Sequence, residues 1–282
     1  MNRQEKFEYL KTIIGRMKQV IVAYSGGVDS TFLLKVAYDV LKDNAKGVLA
    51  VSPTYPSREY EKALKIAGEI GAKVDIIETS ETENEKFLEN PVDRCYFCKS
   101  ELFSRIAEYA KNNSIVMVDG SNFDDLGDHR PGMRALKEMN IRSPLQEAEL
   151  TKEDIRELSK SLGLKTWNKD ALACLSSRFP YGERIDIDKL RMVDEAENYL
   201  IDSGFKNIRA RHQGKTIKIE VDPSQIALLI DEELRNSVVE KMKSLGYIYV
   251  TLDLEGYRQG SMNEVNSVHK SGSVDPKKLK IL

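Results

Sequence analysis

Residues 20–30 constrain the possible fold more than any other stretch of the chain. They read Val-Ile-Val-Ala-Tyr-Ser-Gly-Gly-Val-Asp-Ser, which is an apolar run followed by two glycines and a polar segment. This order predicts a buried strand, a glycine turn and the start of a helix. Glycines let the backbone come close to a ligand, and a helix start offers unpaired N–H groups to an anion. The stretch therefore predicts an anion-binding loop at the end of a strand.

The side chains of this loop suit a bound phosphate group. Ser25 and Ser30 add hydroxyl donors, and Asp29 can orient the loop or help hold a magnesium ion bound to phosphate. No Gly-Lys-Ser/Thr sequence follows, so the loop is not a Walker A motif. The Ser-Gly-Gly-x-Asp-Ser pattern resembles the pyrophosphate loop (PP loop) of the ATP pyrophosphatases, which cleave ATP between its α and β phosphates and adenylate a substrate. The resemblance implies that Ser25, Gly26, Gly27, Asp29 and Ser30 bind ATP with Mg²⁺; the alternative is an ordinary glycine turn.

Apolar strands alternate with amphipathic helices along the first two thirds of the sequence. Short apolar runs at residues 47–51, 74–77 and 115–118 predict buried parallel strands. Apolar residues at helical spacing predict the intervening helices, one beginning near Cys95 and another capped by Thr151. This alternation predicts an α/β fold with a doubly wound, mostly parallel sheet, in which ligands bind beyond the carboxyl ends of the strands.

A change of pattern after Gly182 predicts two domains. Residues 1–182 would form the PP-loop domain that carries the cysteines, and residues 183–282 a smaller α+β domain with a polar tail. In the second domain the sequence predicts a hairpin whose turn is formed by residues 212–215. An alternating strand is predicted at 248–254.

The composition argues against several classes of protein. The chain has 282 residues, a formal net charge of −2 and 31% charged residues, so it lacks the basic excess typical of nucleic-acid-binding proteins. No apolar run is long enough to span a membrane, and the first residues lack the apolar core of a signal peptide. We therefore expect a cytoplasmic protein that acts on a small molecule, without membrane or nucleic-acid partners.

Three cysteines, Cys95, Cys98 and Cys174, leave four interpretations open. The Cys-x-x-Cys pair at 95 and 98 could be a redox pair. A structural zinc site would need a fourth ligand, and the histidines show no suitable spacing. A [4Fe–4S] cluster normally takes four thiolates, so three would leave one iron open for a substrate atom or an extra sulfide. The fourth interpretation is three unrelated cysteines.

Several motifs spread along nearly the whole chain carry a family resemblance. Cys174 lies in Ala-Leu-Ala-Cys-Leu-Ser-Ser-Arg-Phe-Pro-Tyr-Gly at residues 171–182. The others are Asp-Gly-Ser-Asn-Phe-Asp-Asp at 119–125, His-Arg-Pro-Gly at 129–132, Ser-Pro-Leu at 143–145, Arg-Ala-Arg at 209–211 and Thr-Leu-Asp-Leu-Glu-Gly-Tyr-Arg-Gln-Gly-Ser-Met at 251–262. In this order they resemble the motifs of the LarE family, the sulfur transferases of lactate-racemase cofactor synthesis.

The resemblance implies an ATP-dependent sulfurtransferase. Members of the family adenylate the two carboxylates of pyridinium-3,5-biscarboxylic acid mononucleotide and convert them to thiocarboxylates, which later bind nickel in a pincer cofactor. Members with only the later cysteine give up its sulfur and are left with dehydroalanine. Cys95 and Cys98 depart from that pattern and resemble a three-cysteine branch, which implies a [4Fe–4S] cluster on Cys95, Cys98 and Cys174 with an extra sulfide on the open iron. The family also implies a sulfide source and a homo-oligomer that associates through the second domain.

Three arginines are candidate ligands of the substrate. Arg209 and Arg211 are two residues apart on a predicted strand, so both side chains face the same way and suit a phosphate group. By resemblance that phosphate belongs to the substrate mononucleotide; the alternative is a solvated strand face. Arg178 follows Cys174 closely and could neutralise the charge of the adenylate or the substrate, or be a structural loop arginine.

Three further polar residues are candidates for smaller roles. Asp124 and Asp125 could bind magnesium or orient their loop, although acidic pairs in loops are more often solvated or turn-forming. Lys99 lies next to Cys98 and could lower the pKa of a thiol or reach a phosphate.

Three other functions fit part of this sequence. A tRNA thiolase of the same superfamily would pair a Cys-x-x-Cys with a third cysteine, but it would need a basic surface for its polyanion. A non-catalytic sensor of ATP or of a cluster would use the same motifs without turnover. An amide-forming adenylating ligase, as in nicotinamide-dinucleotide synthesis, would have no use for the cysteines.

Overall fold

The computed structural model divides the chain into two units, Met1–Asn198 and Tyr199–Leu282. It describes residues 1–110, 115–127, 131–170, 173–258 and 261. Among these residues no helix is long and apolar enough to cross a membrane. Parts of three predicted motifs lie outside the described residues: His129 and Arg130, Ala171 and Leu172, and positions 259, 260 and 262.

A four-stranded parallel sheet forms the centre of the first unit. Its strands are β1 (Val20–Ala23), β2 (Ala45–Val51), β3 (Val74–Glu78) and β4 (Val116–Val118). Their order is β3-β2-β1-β4, so the chain adds strands on one side of β1 and then returns to the other side. Ligands of such sheets bind at the carboxyl ends of the strands where this direction changes, which here is between β1 and β4.

Helices cover both faces of this sheet. They are α1 (Arg3–Met17), α2 (Val28–Leu41), α3 (Ser57–Ile70), α4 (Glu85–Leu88), α5 (Arg94–Ala110), α6 (Pro131–Glu138), α7 (Pro144–Glu147) and α8 (Lys152–Ser161). Val20 and Val22 of β1 pack with residues of α1, α2 and α8 in one apolar cluster, whereas Ile21 packs with residues of α5 and α6 in another. Alternate residues of one strand therefore contribute to two apolar layers, which confirms the predicted doubly wound α/β fold.

Local sequence signals set two of the helix boundaries. The helix α3 ends at Gly71, whose φ of 81° gives the left-handed conformation that favours glycine at this position. The helix α8 begins after Thr151, whose side chain accepts from the backbone N–H of Asp154. The Asp154 carboxylate in turn accepts from the N–H of Thr151, which completes a capping box.

A helix crosses the division between the two units. This helix, α9 (Ile187–Asp202), contributes Leu190 and Val193 to an apolar cluster of the first unit that also contains Phe179. The chain beyond Gly182 therefore still adds to the first core, and the division between the two compact units falls inside α9. The assignment of residues 1–182 and 183–282 to two functional domains stays a prediction.

A three-stranded sheet forms the second unit. Its elements are β5 (Arg209–Gln213), β6 (Thr216–Glu220), α10 (Glu232–Ser244) and β7 (Tyr249–Leu252). The strands β5 and β6 are antiparallel, and β7 is parallel to β6. The hairpin turn contains only residues 214 and 215, so the predicted turn over 212–215 is wrong at its start. His212 belongs to β5 instead, where it pairs with Ile217 of β6, and its buried ring bonds the Tyr247 hydroxyl at 3.1 Å.

Candidate active site

The PP loop folds as a tight turn between β1 and α2. Ser30 Oγ accepts from the backbone N–H of Ser25 at 3.2 Å, and the two serine hydroxyl oxygens lie 3.1 Å apart. Gly26 has a φ of 68°, and a Cβ atom there would lie 2.7 Å from the Cβ atom of Ala63. Gly27 precedes α2 without a side-chain cap, so no capping side chain occupies the N–H groups at the helix start.

Two tyrosines fix this loop against its neighbours. The Tyr55 hydroxyl donates to the carbonyl oxygen of Ser25 at 3.0 Å, and the Tyr24 hydroxyl donates to that of Ala63 at 2.9 Å. Burial raises the pKa of Tyr24 to about 12, further above the neutral range in which this phenol is already protonated and can donate. Both hydrogen bonds tie the loop and its strand to the segment around α3.

Two lysines that the sequence analysis missed reach the PP loop. Lys152, the first residue of α8, bonds the Asp29 carboxylate through its ammonium group. Lys169 donates to the carbonyl oxygen of Gly26 at 2.9 Å and pairs with Glu59 at 2.5 Å. The capping box predicts where α8 begins, but no sequence signal says which group its first side chain contacts.

The Asp29 carboxylate uses only one of its oxygens. Lys152 bonds Oδ2, whereas Oδ1 is buried and has no hydrogen-bond partner among the described residues. Burial raises the pKa of Asp29, Lys152 opposes that effect, and the negative charge of Asp125 adds to it. A carboxylate oxygen with an unused lone pair is a ligand that magnesium prefers, so Asp29 fits the predicted magnesium role, which stays a prediction.

Residues 119–121, which follow β4, line the site on the side of the PP loop that faces the start of α2. Asp119 accepts from the hydroxyls of Ser121 and Ser143, both at 2.6 Å, and pairs with Lys99 at 3.3 Å. A Cβ atom on Gly120 would lie 3.0 Å from a backbone nitrogen in the first turn of α2. This segment therefore closes directly on the helix start, and Lys99 reaches its carboxylate rather than an open surface.

Asp124 and Asp125, which follow this segment, accept hydrogen bonds from backbone N–H groups. Asp124 accepts from the backbone N–H of Lys152 at 2.8 Å, and Asp125 accepts from that of Asn122 at 3.0 Å. These contacts agree with the loop-orienting interpretation of the pair. Magnesium binding by Asp124 or Asp125 stays a prediction.

The two cysteine motifs meet in the first unit. Cys95 and Cys98 lie in the first turns of α5, where Cys95 is exposed and Cys98 packs against the apolar cluster that contains Leu175. Cys174 directly precedes Leu175, whose N–H donates to the carbonyl oxygen of Thr54 at 2.8 Å. The apolar cluster thus brings the Cys-x-x-Cys helix to the segment of the third cysteine.

The pKa of the Cys98 thiol depends on several neighbouring groups. Burial raises the pKa of Cys98, the Glu81 carboxylate raises it further, and a thiolate at Cys174 or Cys95 would do the same. Lys99 lowers it, as its charge predicts, without outweighing the other effects. In the described parts of the chain, no group of three or more histidine, cysteine, aspartate or glutamate side chains is arranged to hold a metal ion, so the iron–sulfur cluster stays a prediction.

Glu81 is a buried carboxylate that no sequence pattern singles out. Its Oε1 accepts from the hydroxyls of Ser52 and Thr54 at 2.5 and 2.8 Å, and its Oε2 is buried with no hydrogen-bond partner in the part of the chain that the structure describes. Thr54 also accepts from Leu175. Thr54, in the segment that follows β2, therefore contacts both Glu81 and the Cys174 segment.

Arg178 is buried and supports the loop of Cys174. Its guanidinium pairs with Glu197 at 2.8 Å, and both side chains are almost inaccessible to solvent. Its Nη1 also donates to the carbonyl oxygens of Ala173 and Cys174 at 2.9 and 3.0 Å. These contacts favour the structural interpretation of Arg178, and its contact with a substrate charge stays a prediction.

Arg209 and Arg211 lie on one face of the sheet in the second unit, opposite Glu220 and Lys218 of β6. Arg211 is buried and pairs with Glu220 at 2.8 Å. The Arg209 guanidinium lies 4.6 Å from the ring centre of Tyr257 and donates to its hydroxyl at 3.2 Å. The two arginines therefore differ in surroundings, and phosphate binding by either stays a prediction.

A glycine turn with paired serine hydroxyls, placed after the central strand of a parallel sheet, defines the PP-loop class of α/β proteins. In agreement, the family model of NAD synthase matches residues 5–111. The chain belongs to the LarE family. It is 40% identical over 250 residues, 88% of this chain and 90% of the relative, to the pyridinium-3,5-bisthiocarboxylic acid mononucleotide synthase of Lactiplantibacillus plantarum.

Two relatives of uncharacterised function are similar over comparable lengths. A Synechocystis sp. protein is 43% identical over 263 residues, covering 93% of this chain and 98% of the relative. A Methanocaldococcus jannaschii protein is 31% identical over 258 residues, covering 91% and 94%. The similarity therefore extends over both units of the chain.

Proposed function

We propose that this protein is an ATP-dependent sulfurtransferase that converts the carboxylates of pyridinium-3,5-biscarboxylic acid mononucleotide to thiocarboxylates. The first support is the 40% identity to a synthase of the bisthiocarboxylic acid mononucleotide. A sulfide source and a homo-oligomer are part of the proposal. The family resemblance alone suggests both.

One contact carries the proposal in structural terms. The Lys169 ammonium donates to the carbonyl oxygen of Gly26, so the segment that leads to Cys174 is attached to the PP loop. Activation by ATP and delivery of sulfur must occur at the same acyl carbon. A fold that ties the predicted ATP loop to the predicted sulfur segment is suited to that requirement.

The first step would be adenylation of the substrate. A carboxylate is a poor acyl donor because its leaving group would be oxide. Attack of a carboxylate oxygen on the α phosphate breaks its bond to the β phosphate, which releases pyrophosphate and leaves an acyl adenylate. The helix-start N–H groups and the hydroxyls of Ser25 and Ser30 would hold the departing pyrophosphate.

Magnesium would accompany the ATP. The unpartnered Oδ1 atom of Asp29 offers it a hard oxygen ligand, and the charge of Asp125 next to Asp29 favours a cation. The chain's own contribution is to hold this carboxylate in the first turn of α2, beside the place where the phosphates would lie.

The second step would transfer sulfur to the acyl carbon and release AMP. Three thiol side chains in one neighbourhood suit iron, which prefers thiolate ligands. A [4Fe–4S] cluster on Cys95, Cys98 and Cys174 would leave one iron without a protein ligand and supply a deprotonated sulfide. The apolar cluster around Leu175 and Phe179 would exclude water from this side, which protects the acyl adenylate from hydrolysis.

The arginines have separate roles in this proposal. Arg178 positions the Cys174 loop through the carbonyl oxygens that it bonds. Arg209 and Arg211 would hold the phosphate of the mononucleotide, since guanidinium groups match phosphate oxygens.

Metal content after anaerobic purification tests the source of sulfur. Iron and acid-labile sulfide are measured in the wild type, in Cys95→Ala, Cys98→Ala and Cys174→Ala, and in Ser104→Ala as a matched control. Ser104 is an exposed residue of the same helix α5. About four irons in the wild type and in Ser104→Ala, lost in each cysteine variant, support the cluster.

Turnover with ATP and the biscarboxylic acid mononucleotide tests the reaction itself. Formation of AMP, pyrophosphate and thiocarboxylate is expected from the wild type. Iron-free protein whose Cys174 becomes dehydroalanine during turnover would instead establish sacrificial donation from that cysteine. Thiolation of tRNA without turnover of the mononucleotide would overturn the proposed substrate.

A further inference from the structure

Lys152 connects a helix start to the PP loop. It is the first residue of α8, and its backbone N–H donates to Asp124 at 2.8 Å. Its side chain extends to Asp29 in the first turn of α2 and bonds Oδ2. The backbone of Lys152 is therefore fixed, while its flexible four-carbon side chain holds a charge on the PP loop.

The partner of Lys152 is a carboxylate with a second, unused oxygen. Asp29 Oδ1 is buried and lacks a hydrogen-bond partner in the described part of the chain, and the negative charge of Asp125 also acts on Asp29. The ion pair itself is accessible, since the side chains of Lys152 and Asp29 are 35% and 22% exposed. Lys152 thus places a positive charge directly on this carboxylate, and the charge of Arg156 acts on it as well.

ATP with a divalent cation would change both halves of this pair. The cation prefers carboxylate oxygens, and the phosphates prefer an ammonium donor. The metal ion would then neutralise the Asp29 carboxylate in place of Lys152. The Lys152 ammonium group would become available to bond a phosphate oxygen. Lys169 differs, because its partners are a backbone carbonyl oxygen and Glu59, neither of which belongs to the Asp29 carboxylate.

We infer that Lys152 is a displaceable internal cation of the PP loop. It neutralises Asp29 when the site holds no nucleotide, and it releases Asp29 to the divalent cation and bonds the phosphates when metal–ATP binds. Lys152 then contacts the ATP phosphates directly in the adenylation step. This inference rests on the proposed use of ATP.

Binding of Mn²⁺ without nucleotide tests the first half of the inference. The free Mn²⁺ signal in electron paramagnetic resonance is followed for the wild type, Lys152→Met, Asp29→Asn and the double variant. Lys152→Met should bind Mn²⁺ about three- to tenfold more tightly than the wild type, because its competitor is gone. The double variant should bind Mn²⁺ no more tightly than Asp29→Asn alone, because the carboxylate that would bind the ion is then missing. Unchanged affinity of Lys152→Met, or a gain that persists in the double variant, would overturn the inference.

A matched lysine controls for the loss of positive charge. Lys35 lies in the same helix as Asp29 and pairs with Asp39 of that helix. Lys35→Met should leave the Mn²⁺ affinity unchanged. Lys152→Arg keeps the charge and should restore the affinity of the wild type, which excludes a misfolded Lys152→Met protein as the cause of a difference.

Binding of α,β-methylene-ATP with Mg²⁺ tests the second half. Lys152→Met should lose about tenfold in affinity for this uncleavable analogue, because a charge-assisted hydrogen bond to phosphate is missing. Equal affinity in wild type and variant would overturn the contact with phosphate. A wild type that does not bind the analogue at all would refute the proposed use of ATP, and the Mn²⁺ titration would still decide whether Lys152 competes with a metal ion.

Discussion

The Lys169 ammonium nitrogen lies 2.9 Å from the carbonyl oxygen of Gly26 and pairs with Glu59 at 2.5 Å. This contact joins two parts of the chain that are far apart in sequence. One is the predicted ATP loop, and the other leads to Cys174. A change at Lys169 should therefore affect the use of ATP although the residue lies outside the glycine motif.

Lys169→Met should lower the rate of ATP-dependent AMP formation by roughly tenfold or more, because the PP loop loses the hydrogen bond from the ammonium group to the carbonyl oxygen of Gly26. Lys165→Met is the matched control, since Lys165 is largely exposed and pairs only across the surface with Glu69. Initial rates of AMP release are measured for both variants. Equal losses in the two variants would show that the contact with Gly26 is unimportant.

The ion pair between Glu59 and Lys169 should make the stability of the folded protein depend on pH. Burial alone would raise the pKa of Glu59, but Lys169 and Lys62 lower it below the ordinary value of 4.5. A carboxyl group whose pKa is lowered by folding stabilises the protein above its unfolded pKa, and that contribution is lost as the pH falls through the folded pKa. Glu59→Gln should therefore destabilise the protein by about 1 kcal/mol at neutral pH and progressively less below about pH 4.5.

Thermal unfolding between about pH 7 and pH 3 measures this difference. Glu61→Gln is the control, because Glu61 is an exposed residue of the same helix α3. Its unfolding curve should follow that of the wild type at every pH. A difference between Glu59→Gln and the wild type that stays constant with pH would contradict the role of the Glu59 charge.

Two glycines near α3 should respond in opposite ways to alanine. Gly26 has a φ of 68° and lies against Ala63, so Gly26→Ala should cost about 1–3 kcal/mol of stability and abolish nucleotide binding. Gly68 is exposed within α3 and a Cβ atom there meets no atom within 4 Å. Gly68→Ala should stabilise the protein by about 0.5–1 kcal/mol. Denaturant unfolding and nucleotide titration of the two variants check both results.

Local patterns predicted the part of the fold that local physics determines. The glycine turn at Gly26, the helix end at Gly71 and the capping box at Thr151 each follow from the conformations of a few neighbouring residues. The alternation of apolar strands and amphipathic helices predicted the parallel sheet for the same reason. The turn of the hairpin was predicted too long, because a buried histidine in a strand has no local signature that separates it from a turn residue.

Contacts between distant segments could not be predicted in this way. Lys152 and Lys169 reach the PP loop only because α8 and the segment after it pack beside α2 and α3. Glu81 and Glu197 acquire their partners through the same tertiary packing. Sequence motifs therefore identified the glycine loop and the cysteines, whereas the charged side chains that surround them required the fold.

A variant of Arg178 can distinguish between a structural role of this residue and a substrate-binding role. Its guanidinium and the carboxylate of Glu197 form a buried pair, so Arg178→Met would remove the guanidinium that pairs with this buried carboxylate. The expected loss of stability is about 3–5 kcal/mol. Arg191→Met is the control, because Arg191 is an exposed residue of α9 that pairs with Asp188 at the surface. Thermal unfolding and binding of the mononucleotide are measured together. A stable Arg178→Met protein with weakened substrate binding would favour the phosphate or adenylate contact over support of the Cys174 loop.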